Sequence, residues 1–303
     1  MLIHLIPLAL GLSLLLVEAL DGHQFQHVDL VVPEDVYIEE IPGVALSPNQ
    51  ERLYVFNRGH HPLLAFDRDG QLLDEIGEGL FETPHGLRVD VQGNIWTTDT
   101  GNHLVLKFSP EGEVLMVLGK RDTASAGWLD RDYNHVFLNR PSDVAFDHEG
   151  NIYVADGGNF RVVVFSAEGD FIRTFGEQGN EAGQFNFPHS ILIDNNARLL
   201  VGDRENQRIQ VFDLDGNYRT EWTEIGYPYG LSSGSNFSIW MTDARSDQLV
   251  HLSGSGEVLA RYGQPGHGLG QYRFLHGLAP SDHGIYLSDI LNWKVEFLSW
   301  DQF

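Results

Sequence analysis

The chain has 303 residues, 42% of them hydrophobic, and a formal net charge of −24 from 43 acidic against 19 basic residues. That length and apolar fraction can bury a sizeable core, whereas the charge excludes a basic surface of the kind that binds nucleic acid. The absence of cysteine excludes a disulfide framework and a thiolate metal site, which leaves imidazole and carboxylate as the available metal donors.

At the N-terminus, MLIHLIPLALGLSLLLVEA is largely apolar from Leu2 to Val17 and ends in a small-x-small pattern at Val17-Glu18-Ala19. Residues 1–19 are therefore expected to be an export signal, although no Lys or Arg precedes Arg52. The run is shorter than the roughly 20 residues of a spanning helix, so the mature chain is expected to be secreted or periplasmic and to lack a membrane span.

Beyond it, 33 glycines, 18 phenylalanines and frequent Asp-Gly, Glu-Gly and Gly-Asn pairs, with no sustained helical period, predict an all-β protein. A unit recurs six times, starting at PGVAL (Pro42), PHGLRVD (Pro84), PSDVAFD (Pro141), PHSILID (Pro188), PYGLSS (Pro228) and LHGLAPS (Leu275). Each carries a short apolar strand, a polar turn such as DVQGN or DHEGN, a second strand such as IWTTD or IYVAD, and a third such as RVVVFSA. A further turn such as PEGE and a fourth strand such as FIRTFG complete it. Four strands per period of about 40 to 50 residues define a β-propeller blade, so residues 20–303 are read as a single six-bladed propeller. The last unit stops after its third strand, at KVEFLSW, and residues 27–32, HVDLVV, are expected to close the ring as its outer strand.

Because first strands line the central channel, the second residue of each unit falls on one ring: Gly43, His85, Ser142, His189, Tyr229 and His276. Histidine occupies alternate blades, about 120° apart, which suits a divalent metal held by three imidazoles with an open fourth position. Zinc is the natural choice for three neutral imidazoles; iron, copper and nickel share the ligand type. Water-binding channel histidines are the structural alternative, and they do not require alternation. A second ring closes the second strands, with aspartate in five blades (Asp99, Asp156, Asp203, Asp243, Asp289), read as a turn-capping device. Arg58 and Arg204, beside that ring in blades one and four, suit the carboxylate of a substrate.

The third strands, Asn102-His103-Leu104 with GNFRVVVF and ENQRIQVF, resemble the NHL repeat, which implies architecture but not function. A closer resemblance, over about residues 43–298, is to the peptidyl-α-hydroxyglycine α-amidating lyases. It is carried by GVALSPNQERLYVFNRGHH, TPHGLRVDVQGNIWTTD, RPSDVAFDHEGNIYVADG, GQFNFPHSILI and GDRENQRIQVF. The resemblance implies a zinc enzyme that cleaves a carbinolamide to an amide and glyoxylate, with His85, His189 and His276 as zinc ligands and Arg58 and Arg204 as active-site arginines. The family's proposed base, a tyrosine after the third blade's Asp-Gly, is missing where this chain has Asp156-Gly157-Gly158-Asn159. A family methionine two residues before the last zinc histidine is Phe274 here. The resemblance also implies a calcium ion on carbonyls matching Val44 and Leu87 plus an aspartate after the last histidine, which here is Gly277.

Tyr229, inside the histidine ring, is the candidate replacement base, and Tyr133 or His135 in the Lys120–Arg140 connection are candidate lid residues. The sequence thus reads as an exported, monomeric, zinc-dependent lyase acting on a small-molecule or peptide substrate that bears a carboxylate. The alternative is a non-catalytic NHL propeller that binds a peptide, glycan or protein. A calcium-dependent hydrolase of the lactonase type is disfavoured by the histidine ring.

Overall fold

The computed structural model describes residues 25–124 and 137–300, and these form six four-stranded antiparallel sheets. Blade one comprises Gly43–Leu46, Leu53–Phe56, Leu63–Phe66 and Leu72–Ile76, ordered from the channel outward. Blades two to five start on inner strands Pro84–Val89, Pro141–Phe146, Pro188–Ile193 and Gly230–Ser233, and blade six starts on Leu275–Pro280. The export signal expected at residues 1–19 and the candidate lid residues Tyr133 and His135 lie outside the described residues.

The burial pattern explains why the middle strands read as continuous apolar runs. Ile152–Asp156 and Arg161–Phe165 are buried at every position, since both faces of a blade's middle are covered by neighbouring blades. Outer strands such as Leu72–Ile76 are largely exposed and correspondingly polar. The core is six clusters, one at each blade-to-blade interface. Tyr54 and Phe56 of blade one, for example, pack with Ile95 and Leu104 of blade two, while Ala279 and Val295 of blade six pack with Val44 and Val55 of blade one.

The turns follow their sequence chemistry. Asp90 Oδ1 accepts the backbone N–H groups of Gln92 and Asn94, and Gly93 takes the left-handed φ of +88° that a side chain would strain. The buried aspartate ring does the same work at the other face. Asp99 accepts N–H bonds from Glu82, Thr83, Gly101 and Asn102, so that ring belongs to the fold.

Ring closure uses the N-terminal segment, but in a different register from that expected. The outer strand of blade six is Phe25–His27, antiparallel to Lys294–Ser299, with Phe25 opposite Leu298 and His27 opposite Glu296. Val28 N–H still donates to the Val295 carbonyl at 3.0 Å, and residues 29–32 then leave that edge for blade one, where Val31 forms a parallel bridge to Gln71. The alternating Val28, Leu30 and Val32 pack over the seam between blades six and one, so burial accounts for their apolar pattern.

Candidate metal centre

Each histidine of the ring sits at a register irregularity of its inner strand. The shifts fall between Pro84 and Leu87, between Pro188 and Ser190, and between Leu275 and Gly277. A bulge of this kind re-aims a side chain that regular pleating would place against a neighbouring blade. The three rings meet edge to face in the channel, with centroids 4.8 Å (His85–His189), 4.9 Å (His85–His276) and 5.2 Å (His189–His276) apart.

The Nδ1 atoms fix the protonation pattern. His85 Nδ1 lies 2.9 Å from the Ser142 carbonyl, His189 Nδ1 2.7 Å from that of Tyr229, and His276 Nδ1 2.7 Å from that of Pro42. A carbonyl only accepts, so each Nδ1 carries the proton, and each Nε2 lone pair is left free for another partner. Each bond also ties a histidine-bearing blade to the next blade in the ring. Burial pushes the pKa of all three histidines down, to about 4 for His276, with the Arg204 charge acting in the same direction on all three and the Arg58 charge on His85 and His276. Neutral imidazoles are the metal-binding form, and His189 Nε2 is buried without a hydrogen-bond partner.

The three histidines offer donor atoms within 4.8 Å of one another. Ligands 2.0–2.1 Å from a tetrahedral zinc are about 3.4 Å apart, so each imidazole need move inward by about 0.8 Å at most. Charge state, orphaned donor and convergence on one point all fit zinc.

Above the triangle lies a cleft of ≈ 290 Å³ whose lining includes the three histidines, Arg58, Arg204 and Tyr229. Arg58 donates from Nε to the Pro84 carbonyl at 3.2 Å and from Nη1 to Glu40 at 2.6 Å. Arg204 opens the short helical turn Arg204–Asn206 after its blade's second strand. Its guanidinium lies 4.5 Å from the Phe187 ring and 5.1 Å from the Tyr229 ring, and its Nε donates to Glu205 at 2.8 Å. Tyr229 is buried against His189 and Phe274, with ring centroids 4.9 and 5.2 Å away. Phe274 in turn stacks nearly parallel to His276.

The structure thus brings His85, His189, His276, Arg58, Arg204 and Tyr229 together in one cleft, while the candidate lid residues Tyr133 and His135 lie outside the described residues. Ser142 and Gly43, also on the expected ring, line the narrow channel below the triangle, where Ser142 Oγ donates to the Ala155 and Pro188 carbonyls. Arg245 escaped sequence reasoning. Its Nε donates to Tyr229 Oη at 3.4 Å and its Nη2 bridges both oxygens of Glu205, the carboxylate that also holds Arg204. The signal was present one residue beyond the position inspected, in Asp243-Ala244-Arg245.

These features define a class of fold, the six-bladed β-propeller. Residues 134–225 match the family described as a 6-bladed beta-propeller, and residues 81–108 match the NHL repeat. More particularly, the chain is 34% identical over 199 residues to peptidyl-glycine alpha-amidating monooxygenase of Mus musculus, covering 51% of this chain and 20% of that protein. It is 37% identical over 107 residues to a probable peptidyl-alpha-hydroxyglycine alpha-amidating lyase of Caenorhabditis elegans, covering 35% and 29% of the two chains. The matched region thus spans under a third of either relative. A solved streptogramin B lyase superposes with a TM-score of 0.64 over 90% of this chain and 96% of that one, at 15% identity, a likeness of fold alone.

Proposed function

We propose that the protein is a zinc-dependent lyase that cleaves a carbinolamide, such as a peptidyl-α-hydroxyglycine, to an amide and glyoxylate. One observation carries this reading: three imidazoles, neutral and committed through Nδ1 to backbone carbonyls, turn free Nε2 atoms toward one point on the floor of a cleft walled by two arginines. Relatives named amidating lyases, at 33 to 37% identity over about a third of the chain, support a lyase-like function.

His85, His189 and His276 would hold zinc through Nε2, where it would supply Lewis acidity to a substrate oxygen. The chain's own groups bind and orient the substrate. Arg58 and Arg204 receive its carboxylate in charge-assisted hydrogen bonds, while Glu40 and Glu205 keep the two guanidiniums in place. Phe187 stacks on Arg204, and Phe274 and Ile290 keep water from the cleft wall. Tyr229, held by Arg245, takes the proton of the substrate hydroxyl as its own phenolic proton passes to the departing nitrogen. As that O–H bond breaks, the oxygen forms a carbonyl with the carbinol carbon and the C–N bond cleaves. The departing nitrogen takes up the electron pair and a proton, so the products are the primary amide and glyoxylate with no net proton change.

The test is glyoxylate release from a peptidyl-α-hydroxyglycine by zinc-loaded protein, compared with His85→Ala and Arg204→Ala. Release is expected to require the metal and to be lost in both variants. Should the wild type release no more than His85→Ala, the lyase reading fails and a binding propeller takes its place.

A further inference from the structure

Below the histidine triangle the channel narrows to a cavity of ≈ 30 Å³ whose lining includes Val44, Leu87, Arg88, Asp143 and Gly277. That is room for one water molecule or one small ion. A buried carboxylate and strand backbone in so small an enclosure are what a hard cation would use. The cavity, however, already contains a positive charge of the chain's own.

Arg88, on the inner strand of blade two, meets Asp143 of blade three through both arms of its fork, Nε to Oδ1 at 2.9 Å and Nη2 to Oδ2 at 2.6 Å. The same Nη2 reaches across the channel to the Leu231 carbonyl of blade five at 3.0 Å. Asp143 Oδ2 also accepts the Ile191 N–H of blade four at 3.1 Å. One ion pair therefore binds the inner strands of four consecutive blades, a role a multidentate metal ion would otherwise fill.

The remaining side of the channel, where blades six and one meet, has no space for a ligand side chain. A Cβ on Gly277 would lie 2.4 Å from Ser288 Oγ and 2.9 Å from the Pro42 carbonyl oxygen. The calcium ion implied by the family resemblance does not fit this channel. Its carboxylate at position 277 has no room, and the one carboxylate present is held at both oxygens by a guanidinium.

We infer that Arg88 is the channel cation of this propeller: its guanidinium, paired with Asp143, stands in place of a divalent ion, so the channel binds no calcium and the ring needs none. A guanidinium keeps its charge at any physiological pH and is covalently retained, so the inner ring stays tied when free cations are scarce. The inference stands whether or not the histidines hold zinc.

The experiment is equilibrium dialysis against radioactive calcium at physiological ionic strength, with thermal unfolding followed in chelator and in millimolar calcium. The wild type is expected to take up no calcium that depends on Asp143 and to unfold at the same temperature in both buffers. Arg88→Met leaves the Asp143 carboxylate uncompensated, so its Tm should fall by about 5 to 10 °C in chelator. It should gain about one calcium per chain, which restores part of that loss. An Arg88→Met protein that folds but takes up no calcium overturns the claim that the guanidinium stands in the ion's place. If Arg88→Met does not fold, the wild type decides. One equivalent of calcium in the wild type that Asp143→Asn abolishes refutes the inference, and its absence upholds it.

Discussion

His189 and Tyr229 are joined twice: the imidazole Nδ1 donates to the Tyr229 carbonyl at 2.7 Å, and the two rings meet edge to face at 4.9 Å. The backbone of Tyr229 therefore aims a metal ligand while its ring walls the cleft. Only the second role depends on the side chain, which makes the two separable by mutation.

Tyr229→Phe keeps both the carbonyl and the ring, so metal content should match the wild type. Loss of the hydroxyl should lower kcat by about 10² to 10⁴-fold, the usual contribution of a general base. Arg245→Gln, which releases Tyr229 Oη without touching the cleft floor, should give a smaller loss of the same kind. A Tyr229→Phe enzyme with unchanged kcat and unchanged zinc would remove Tyr229 from the chemistry.

Replacing His85 and His189 together by alanine should abolish stoichiometric zinc binding yet leave the blades folded. The ring is closed by strand pairing and by six interblade clusters, none of which includes a histidine of the triangle. Circular dichroism should show the wild-type β spectrum, and zinc should no longer raise Tm. Global unfolding of the double variant would make the centre a structural one.

Much of this was legible in the sequence because repetition supplied its own frame. Aligning six units exposed which positions every blade shares, such as the aspartates, and which only some carry, such as His85, His189, His276, Arg58 and Arg204. Features that depend on strand pairing and on contacts between distant blades were harder to read. The bulges at the histidines, which blade three shares at Pro141–Asp143, depend on pairing with the second strand, and Phe25–His27 is less apolar than residues 27–32, whose alternation pairing and packing favour alike. Arg88 and Asp143 lie 55 residues apart, on inner strands where a charge is ordinarily read as solvent-facing, so only the closed ring reveals them as partners.

Asp247 provides a pH-dependent test of the fold remote from the metal. Burial, then the neighbouring Asp289 and Asp243 carboxylates, raise its pKa to about 6 against the opposing Leu275 N–H and Arg273 charge, and one of its oxygens is buried without a partner. The folded state thus holds this proton more tightly than the unfolded chain, whose carboxylate ionises near 3.8. Stability from this group is present below that value and is lost as pH rises through about 6. Asp247→Asn, which tolerates the left-handed φ of 55° seen there, should therefore raise Tm by about a degree or two at pH 7.5 and leave it unchanged at pH 4. A gain of equal size at both pH values would contradict the assignment.

Closure of the ring predicts the largest single loss away from the site. Phe25 is 4% exposed, packs edge to face on Tyr272 with centroids 6.2 Å apart, and anchors the three-residue strand that covers the outer edge of Lys294–Ser299. Gly270, at φ +66°, leaves the space this ring occupies, since a Cβ there would come within 2.7 Å of Phe25 Cδ2. Phe25→Ala forfeits a buried aromatic that nothing nearby can replace, a cost of about 3 to 5 kcal/mol. It also weakens the hold on an edge strand whose Val295 and Leu298 are buried, and an uncovered edge is a template for pairing with another chain. The variant should therefore unfold at lower temperature and elute partly as higher oligomers. Leu30→Ala, in the segment that leaves this edge for blade one, should lower Tm less and leave the elution profile unchanged. Equal effects from the two substitutions would return the closing role to residues 27–32.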